Sequence, residues 1–160
     1  MVNTVKEVAA RQIGQKAPDF ILKDQYGEDF KLSAFRGKRV LLSFLPLAWT
    51  PESAAQVKAL DASVGRFDGL NTVVVGISVD SVPTKKAWTA YLGTTKLRLL
   101  ADFWPHGLVS DEYEVLRQMV GYAERANIIV DENGIITFVR KYAPGEVPDI
   151  EEIVRALNLR

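Results

Sequence analysis

The sequence predicts an α/β fold, a mixed central sheet between helical layers that begins with an N-terminal β-hairpin. Residues 39–45 and 72–79 are nearly continuous apolar runs, the pattern of strands buried on both faces. Each run is followed by a segment with helix-start signals, so strand and helix alternate as a parallel sheet requires. Near the C-terminus, Asn133-Gly134 stands between two further apolar segments and marks an antiparallel hairpin.

In chain order, residues 19–22 and 30–32 flank Asp24-Gln25-Tyr26-Gly27, whose Asp and Gly suit a turn, and these form the first hairpin. After the strand at 39–45, Thr50 is placed as an N-cap, Pro51 at the first helical position and Glu52 in the first turn. The helix carries Val57, Leu60 and Val64 on one face and ends at Gly65 or Gly69. A strand at 72–79 leads through Asp80-Ser81-Val82-Pro83 to a helix from about residue 84 to residue 92, which Gly93 stops. A short strand at 97–100 and a short helix at 107–113 follow, separated by the Trp104-Pro105-His106 turn. Strands at 125–130 and 134–139 form the second hairpin, and residues 149–157 close the chain as a helix with Ile150, Ile153, Val154 and Leu157 on one face.

Composition narrows the function. The chain has 160 residues, and no repeat, low-complexity tract or linker divides it, so residues 1–160 are read as one domain. Twenty Lys+Arg balance twenty Asp+Glu, and no polybasic segment is present, which argues against nucleic acid as a partner. Zero cysteines exclude disulfides, thiolate metal sites and thiol nucleophiles, and a single His excludes a multi-histidine metal site. No metal or cofactor is expected. The longest apolar run, 40–49, is about half the roughly 20 residues of a membrane helix. Residues 1–12 lack the apolar core of a signal peptide, so the expected compartment is the cytoplasm, with no membrane partner.

Several blocks then carry a resemblance. Gly14-Gln15-Lys16-Ala17-Pro18-Asp19-Phe20 opens the series, followed by Asp24, Gly27, Leu32-Ser33 and Gly37-Lys38. Next stands Pro46-Leu47-Ala48-Trp49-Thr50-Pro51-Glu52-Ser53, and later come Gly76-Ile77-Ser78-Val79-Asp80, the stretch 100–107, and Glu124-Arg125 leading through 126–131 to Gly134. In this order and spacing the chain resembles a peroxiredoxin of the alkyl hydroperoxide reductase / thiol-specific antioxidant group, and the resemblance implies a thioredoxin-like fold. The block from Pro46 to Ser53 is similar to that group's Pro-x-x-x-Thr-x-x-Cys motif, with Ser53 in the place of the peroxidatic cysteine. The resemblance implies that Thr50 hydrogen-bonds the peroxide, Pro46 shields the site from water and Arg125 sets a fixed positive charge against the reacting oxygens. It also implies a peroxide substrate, a thioredoxin-like thiol reductant and a homodimer.

The departures are as informative. A strand end followed by a helix start favours negative charge at residue 53, but a serine hydroxyl stays protonated and has no sulfur to accept an oxygen. The chain as written is therefore expected to be inactive toward peroxide, and a form with cysteine at 53 is expected to reduce hydrogen peroxide or alkyl hydroperoxides. Glu52 would raise a neighbouring thiol's pKa, and Ala54 and Gln56 differ from the family's common Thr and Glu. Thr84 stands where some relatives carry a second, resolving cysteine. Two histories fit: Ser introduced for Cys in an active parent, or natural loss that leaves a catalytically dead binding or assembly module. Another thioredoxin-fold reductant is a weaker option, because no remnant of a Cys-x-x-Cys pair is present.

For the other conspicuous residues plainer roles compete. Arg125 could instead pair with Glu124 or Asp131 on the surface. A Ser53–His106 hydrolase dyad lacks a Gly-x-Ser-x-Gly elbow, so His106 is read as a turn residue. Trp49, Phe103 and Trp104 are read as core or subunit-interface aromatics.

Overall fold

The computed structural model describes residues 12–159; the polar stretch 1–12 lies outside them except for Gln12. Seven strands form one mixed sheet, in the order 29–31, 21–23, 98–101, 72–78, 39–44, 126–130 and 136–141 from one edge to the other. The hairpin strands β1 (Ile21–Lys23) and β2 (Asp29–Lys31) occupy one edge, antiparallel, with Leu22 opposite Phe30. At the centre, β3 (Arg39–Phe44), β4 (Thr72–Ser78) and β5 (Arg98–Ala101) run parallel, with Ser43 opposite Gly76 and Gly76 opposite Leu99. Beyond β3, β8 (Ala126–Val130) and β9 (Ile136–Lys141) form the antiparallel second hairpin. All six residues of β3 and all five of β8 are buried, which accounts for their unbroken apolar pattern.

The steps β3→β4→β5 all move the same way across the sheet, so their right-handed crossovers deliver the connecting helices to one face. That face carries α1 (Pro51–Ala62), α2 (Val64–Asp68), α3 (Val82–Leu92) and α5 (Ile150–Asn158). Val57, Leu60, Phe67, Trp88, Ile153 and Leu157 from these helices meet Leu41 and Leu45 of the sheet side. The opposite face is covered more thinly, by α4 (Leu108–Glu112), a 3-10 turn over Leu32–Phe35 and the side chains of Phe20, Phe30, Tyr113 and Val115. Gly76 sits opposite Leu99 in the β4–β5 pairing, where an added Cβ would stand 2.6 Å from the end of the Leu99 side chain and force it to move.

Four details differ from the sequence reading. The single helix expected after Thr50 is broken at Ser63 into α1 and α2, because Ser63 leaves helical geometry at ψ 0°. The helix α3 starts at Val82, with Ser81 as its cap and Pro83 in its first turn, two residues earlier than expected; Gly93 ends it in left-handed geometry at φ 74°. A small hairpin of β6 (Leu116–Arg117) and β7 (Tyr122–Ala123) precedes β8, and its two-residue strands are too short to show periodicity. Trp49, Phe103 and Trp104 are not core residues: they are 52%, 52% and 80% exposed.

Candidate functional site

The site is assembled where β3 gives way to α1 and where β7 gives way to β8. After β3, residues 46–50 form a loop with Trp49 in left-handed geometry at φ 68°, a conformation that bulky residues rarely adopt. Three contacts hold the loop. The Ala48 N–H donates to Asp80 Oδ2 at 2.9 Å, Thr50 Oγ1 donates to Leu47 O at 3.1 Å, and the Trp49 ring lies 5.3 Å from that of Tyr91 on α3. Thr50 occupies the N-cap position of α1 as expected, with extended backbone angles, but its side chain makes no capping hydrogen bond. Among the described residues, the first-turn N–H groups of α1 are thus left without a side-chain acceptor.

Ser53, in that first turn, is completely buried. Arg125, just before β8 and 7% exposed, reaches it: Nη1 donates to Ser53 Oγ at 3.1 Å and to Gln56 Oε1 at 2.6 Å. The surface pairing considered for Arg125 does not form, because Glu124 pairs with Lys141 at 2.8 Å and Asp131 caps its own turn through the N–H groups of Asn133 and Ile135. Burial pulls the Arg125 pKa down from its ordinary value, and the nearby Glu52 charge works against that pull.

Behind Arg125 runs a chain of hydrogen bonds whose donors all point away from it. Gln56 Nε2 donates to Ser43 Oγ (2.7 Å), Ser43 Oγ to Asn127 Oδ1 (2.7 Å), Asn127 Nδ2 to the Tyr142 hydroxyl (3.1 Å), and that hydroxyl to Glu152 Oε1 (2.5 Å). A cation thus stands at one end and a carboxylate at the other, so the intervening dipoles are aligned with the field between them. Sequence reasoning missed Gln56 as a partner of Arg125, and Ser43, Asn127 and Tyr142 altogether. Their signal was present: Gln56 lies one helical turn from Ser53, and Ser43 and Asn127 are polar residues inside buried strands, directly opposite each other in register.

In front of Arg125 opens a cleft of about 400 Å³, lined by Pro46, Leu47, Thr50, Glu52, Tyr122 and Arg125 among others. The structure therefore brings three of the expected residues, Pro46, Thr50 and Arg125, to one cleft, with Ser53 hydrogen-bonded beneath it. His106 lies in a turn apart from the cleft lining, its Nε2 2.5 Å from Gly121 O. Thr84 is on α3, where its hydroxyl accepts from Ser81 Oγ at 3.0 Å. Among the described residues, no three His, Cys, Asp or Glu side chains converge as a metal site would need. None of the described helices is long and apolar enough to cross a membrane.

A mixed seven-stranded sheet with an N-terminal hairpin, and a site built at the end of β3, define the thioredoxin-like class to which peroxiredoxins belong. The solved structures it is similar to agree. The reduced 2-Cys peroxiredoxin of Plasmodium vivax superposes with a TM-score of 0.85 at 29% identity, over 92% of this chain and 80% of that one. AhpC of Enterococcus faecalis gives 0.84 at 27% identity, over 92% and 90%. Residues 13–139 match the AhpC/TSA family, and the chain belongs to that family. It is 41% identical over 138 residues to alkyl hydroperoxide reductase E of Mycobacterium tuberculosis, covering 86% of this chain and 90% of that protein. To the mitochondrial thioredoxin-dependent peroxide reductase of Drosophila melanogaster it is 30% identical, over 99% and 70%. The fold and family implied by the sequence blocks are thereby borne out.

Proposed function

We propose that this chain carries the site of a thiol peroxidase with Ser53 in the position of the peroxidatic cysteine, and that it is inactive toward peroxide as it stands. The observation that carries the reading is the hydrogen bond from buried Arg125 to Ser53 Oγ beneath an open cleft. With sulfur at that atom, Arg125 and the helix N-terminus would favour the thiolate. The thiolate would attack one peroxide oxygen as the O–O bond breaks, giving a sulfenic acid while the departing alkoxide or hydroxide takes a proton. Thr50, whose oxygen lone pairs are not used by the helix, is the residue to orient the peroxide, and Pro46 screens the cleft from water. The substrate class is hydrogen peroxide or an alkyl hydroperoxide and the reductant a thioredoxin-like thiol, as the names of the two relatives suggest. A cytoplasmic homodimer is proposed with them, with the exposed Trp49, Phe103 and Trp104 as candidate interface residues.

Ser53→Cys tests this directly. The variant is expected to consume hydrogen peroxide or an alkyl hydroperoxide in the presence of a dithiol, while the parent chain does not; no gain over background would reject the reading. A second reading is a module that has lost the chemistry and kept the surface. One observation favours it: at the place of a resolving cysteine in some relatives, Thr84 joins Ser81 in capping α3, a settled structural role with no thiol in it. Under that reading Ser53→Cys stays inert and the chain still associates through a defined surface.

A further inference from the structure

We propose that the cleft above Ser53, in the chain as it stands, is a binding site for a small organic monocarboxylate, held side-on by Nε and Nη2 of Arg125. The proposal rests on Arg125 and the cleft and needs no thiol. Both hydrogen bonds that Arg125 donates leave from Nη1, and both go to neutral oxygens, on Ser53 and Gln56. Among the described residues, Nε and Nη2 find no acceptor. Arg125 is buried, no carboxylate is hydrogen-bonded to it, and three of its five N–H donors go unused among the described residues, an incomplete arrangement because a buried charge without a hydrogen-bonded counter-charge is costly. The unused pair is one edge of the guanidinium, two parallel N–H groups on the same side, and it belongs to a residue that lines the cleft. That edge matches the two oxygens of a carboxylate.

The walls and the local charge select the ligand further. Pro46, Leu47, Tyr122 and Ala123 give the cleft apolar sides, and about 400 Å³ accommodates a short carbon chain behind a carboxylate. Arg117 also lines the cleft and lies 5.7 Å over the Tyr122 ring. Against Arg117 and Arg125 stand two carboxylates, Glu52 and Glu124, the latter paired with Lys141 at 2.8 Å. The charges lining the cleft balance, two arginines against two glutamates, so a ligand's single negative charge has to be met by Arg125 itself, and Glu52 penalises a dianion such as phosphate.

The test uses the full Ser53 chain and titrates butyrate, its neutral isostere butyramide, and inorganic phosphate at constant ionic strength, read by backbone amide NMR shifts. Butyrate is expected to give saturable shifts at Glu52, Ser53, Ala123 and Glu124, with butyramide and phosphate weaker by about tenfold or more. Arg125→Gln is expected to weaken butyrate by at least about tenfold. Should that variant fail to fold, Arg117→Gln, on an exposed side chain, is expected to weaken it by about threefold while leaving the fold intact. Equal binding of butyrate and butyramide, tighter binding of phosphate, shifts confined to another surface, or no saturation by about 10 mM would each overturn the proposal. A Ser53→Cys protein inert toward peroxide would reject the peroxidase reading and leave this one standing.

Discussion

Two cations are buried along the carboxyl edge of the parallel strands, and the protein treats them in opposite ways. Lys85, on α3, is completely enclosed: its Nζ donates to Ser78 Oγ, which donates to Asp80 Oδ2 at 2.6 Å, and the Asp102 charge acts on it as well. Asp102 is itself anchored, accepting from the N–H groups of Val109 (3.1 Å) and Ser110 (2.8 Å) and from Ser110 Oγ (2.8 Å). Arg125, across β3 and β4, donates to neutral oxygens instead and lines a cleft. Burial disfavours the charge of both, yet only the second has donors left for a ligand to complete. Burial of a charge does not by itself mark a site; unused donors on a residue that lines a cleft do. The two regions are joined through the loop between them, since the carboxylate that serves Lys85 through Ser78 also receives the Ala48 N–H and so helps to hold Pro46 and Thr50 in place.

The largest effect expected from breaking this contrast lies on the closed side. Burial pulls the Lys85 pKa from 10.5 down to about 8, with the Asp80 and Asp102 charges opposing the pull. Because the folded value lies below the unfolded one, the unfolded chain holds the extra proton between them, and stability climbs as pH rises through that window. The penalty is full below about pH 8 and gone above 10.5, a contribution of about 3 kcal/mol at most. Urea unfolding of the parent and of Lys85→Met across this range checks it: the parent should gain stability relative to the variant as pH rises, and parallel curves would sink the idea. Arg125→Gln retains Lys85, so its stability should keep the same slope as the parent's.

A smaller change would make the open side resemble the closed one. Gln56→Glu sets a carboxylate against Arg125 Nη1, where Gln56 now offers a neutral oxygen at 2.6 Å. It also removes the Nε2 donor that serves Ser43 Oγ and Phe44 O. With its charge compensated inside the protein, Arg125 should attract a carboxylate ligand less, and butyrate affinity is expected to fall by about tenfold. Unchanged affinity would mean that Arg125 is not the anchor.

How far these two regions could be read in advance differs in the same way. The central strands, the crossover helices and both main hairpins were legible because each is long enough to display a period or carries turn residues with a fixed geometry. The short pair β6 and β7 and the break at Ser63 were not, since two-residue strands have no period and one non-helical residue leaves no mark on the apolar spacing. Pro46, Thr50, Ser53 and Arg125 stood out as candidates because the blocks that carry them resemble those of a known family, and the fold places them around one cleft. Lys85 looked like an ordinary surface lysine next to Lys86, and only the tertiary packing of α3 distinguishes the two. Ser43, Asn127 and Tyr142 are brought together by strand register, which alternation alone does not supply.

The smallest expected effect contrasts the two helix N-termini that belong to these regions. Ser81 closes the first turn of α3, accepting from the Thr84 N–H at 3.4 Å and donating to Thr84 Oγ1 at 3.0 Å. Thr50 stands at the same position of α1, yet its hydroxyl turns back to Leu47 O, so the N–H groups above Ser53 keep no side-chain partner. Ser81→Ala is accordingly expected to cost about 1 kcal/mol of stability, the usual loss of a cap. Thr50→Val keeps the shape, removes only the turn hydrogen bond and should cost less, about 0.5 kcal/mol, because no cap is lost. Thermal and urea unfolding of the two variants decides between them. If Thr50→Val proved the more costly, the hydroxyl would be capping α1 after all, and the open first turn above Ser53 would have to be given up.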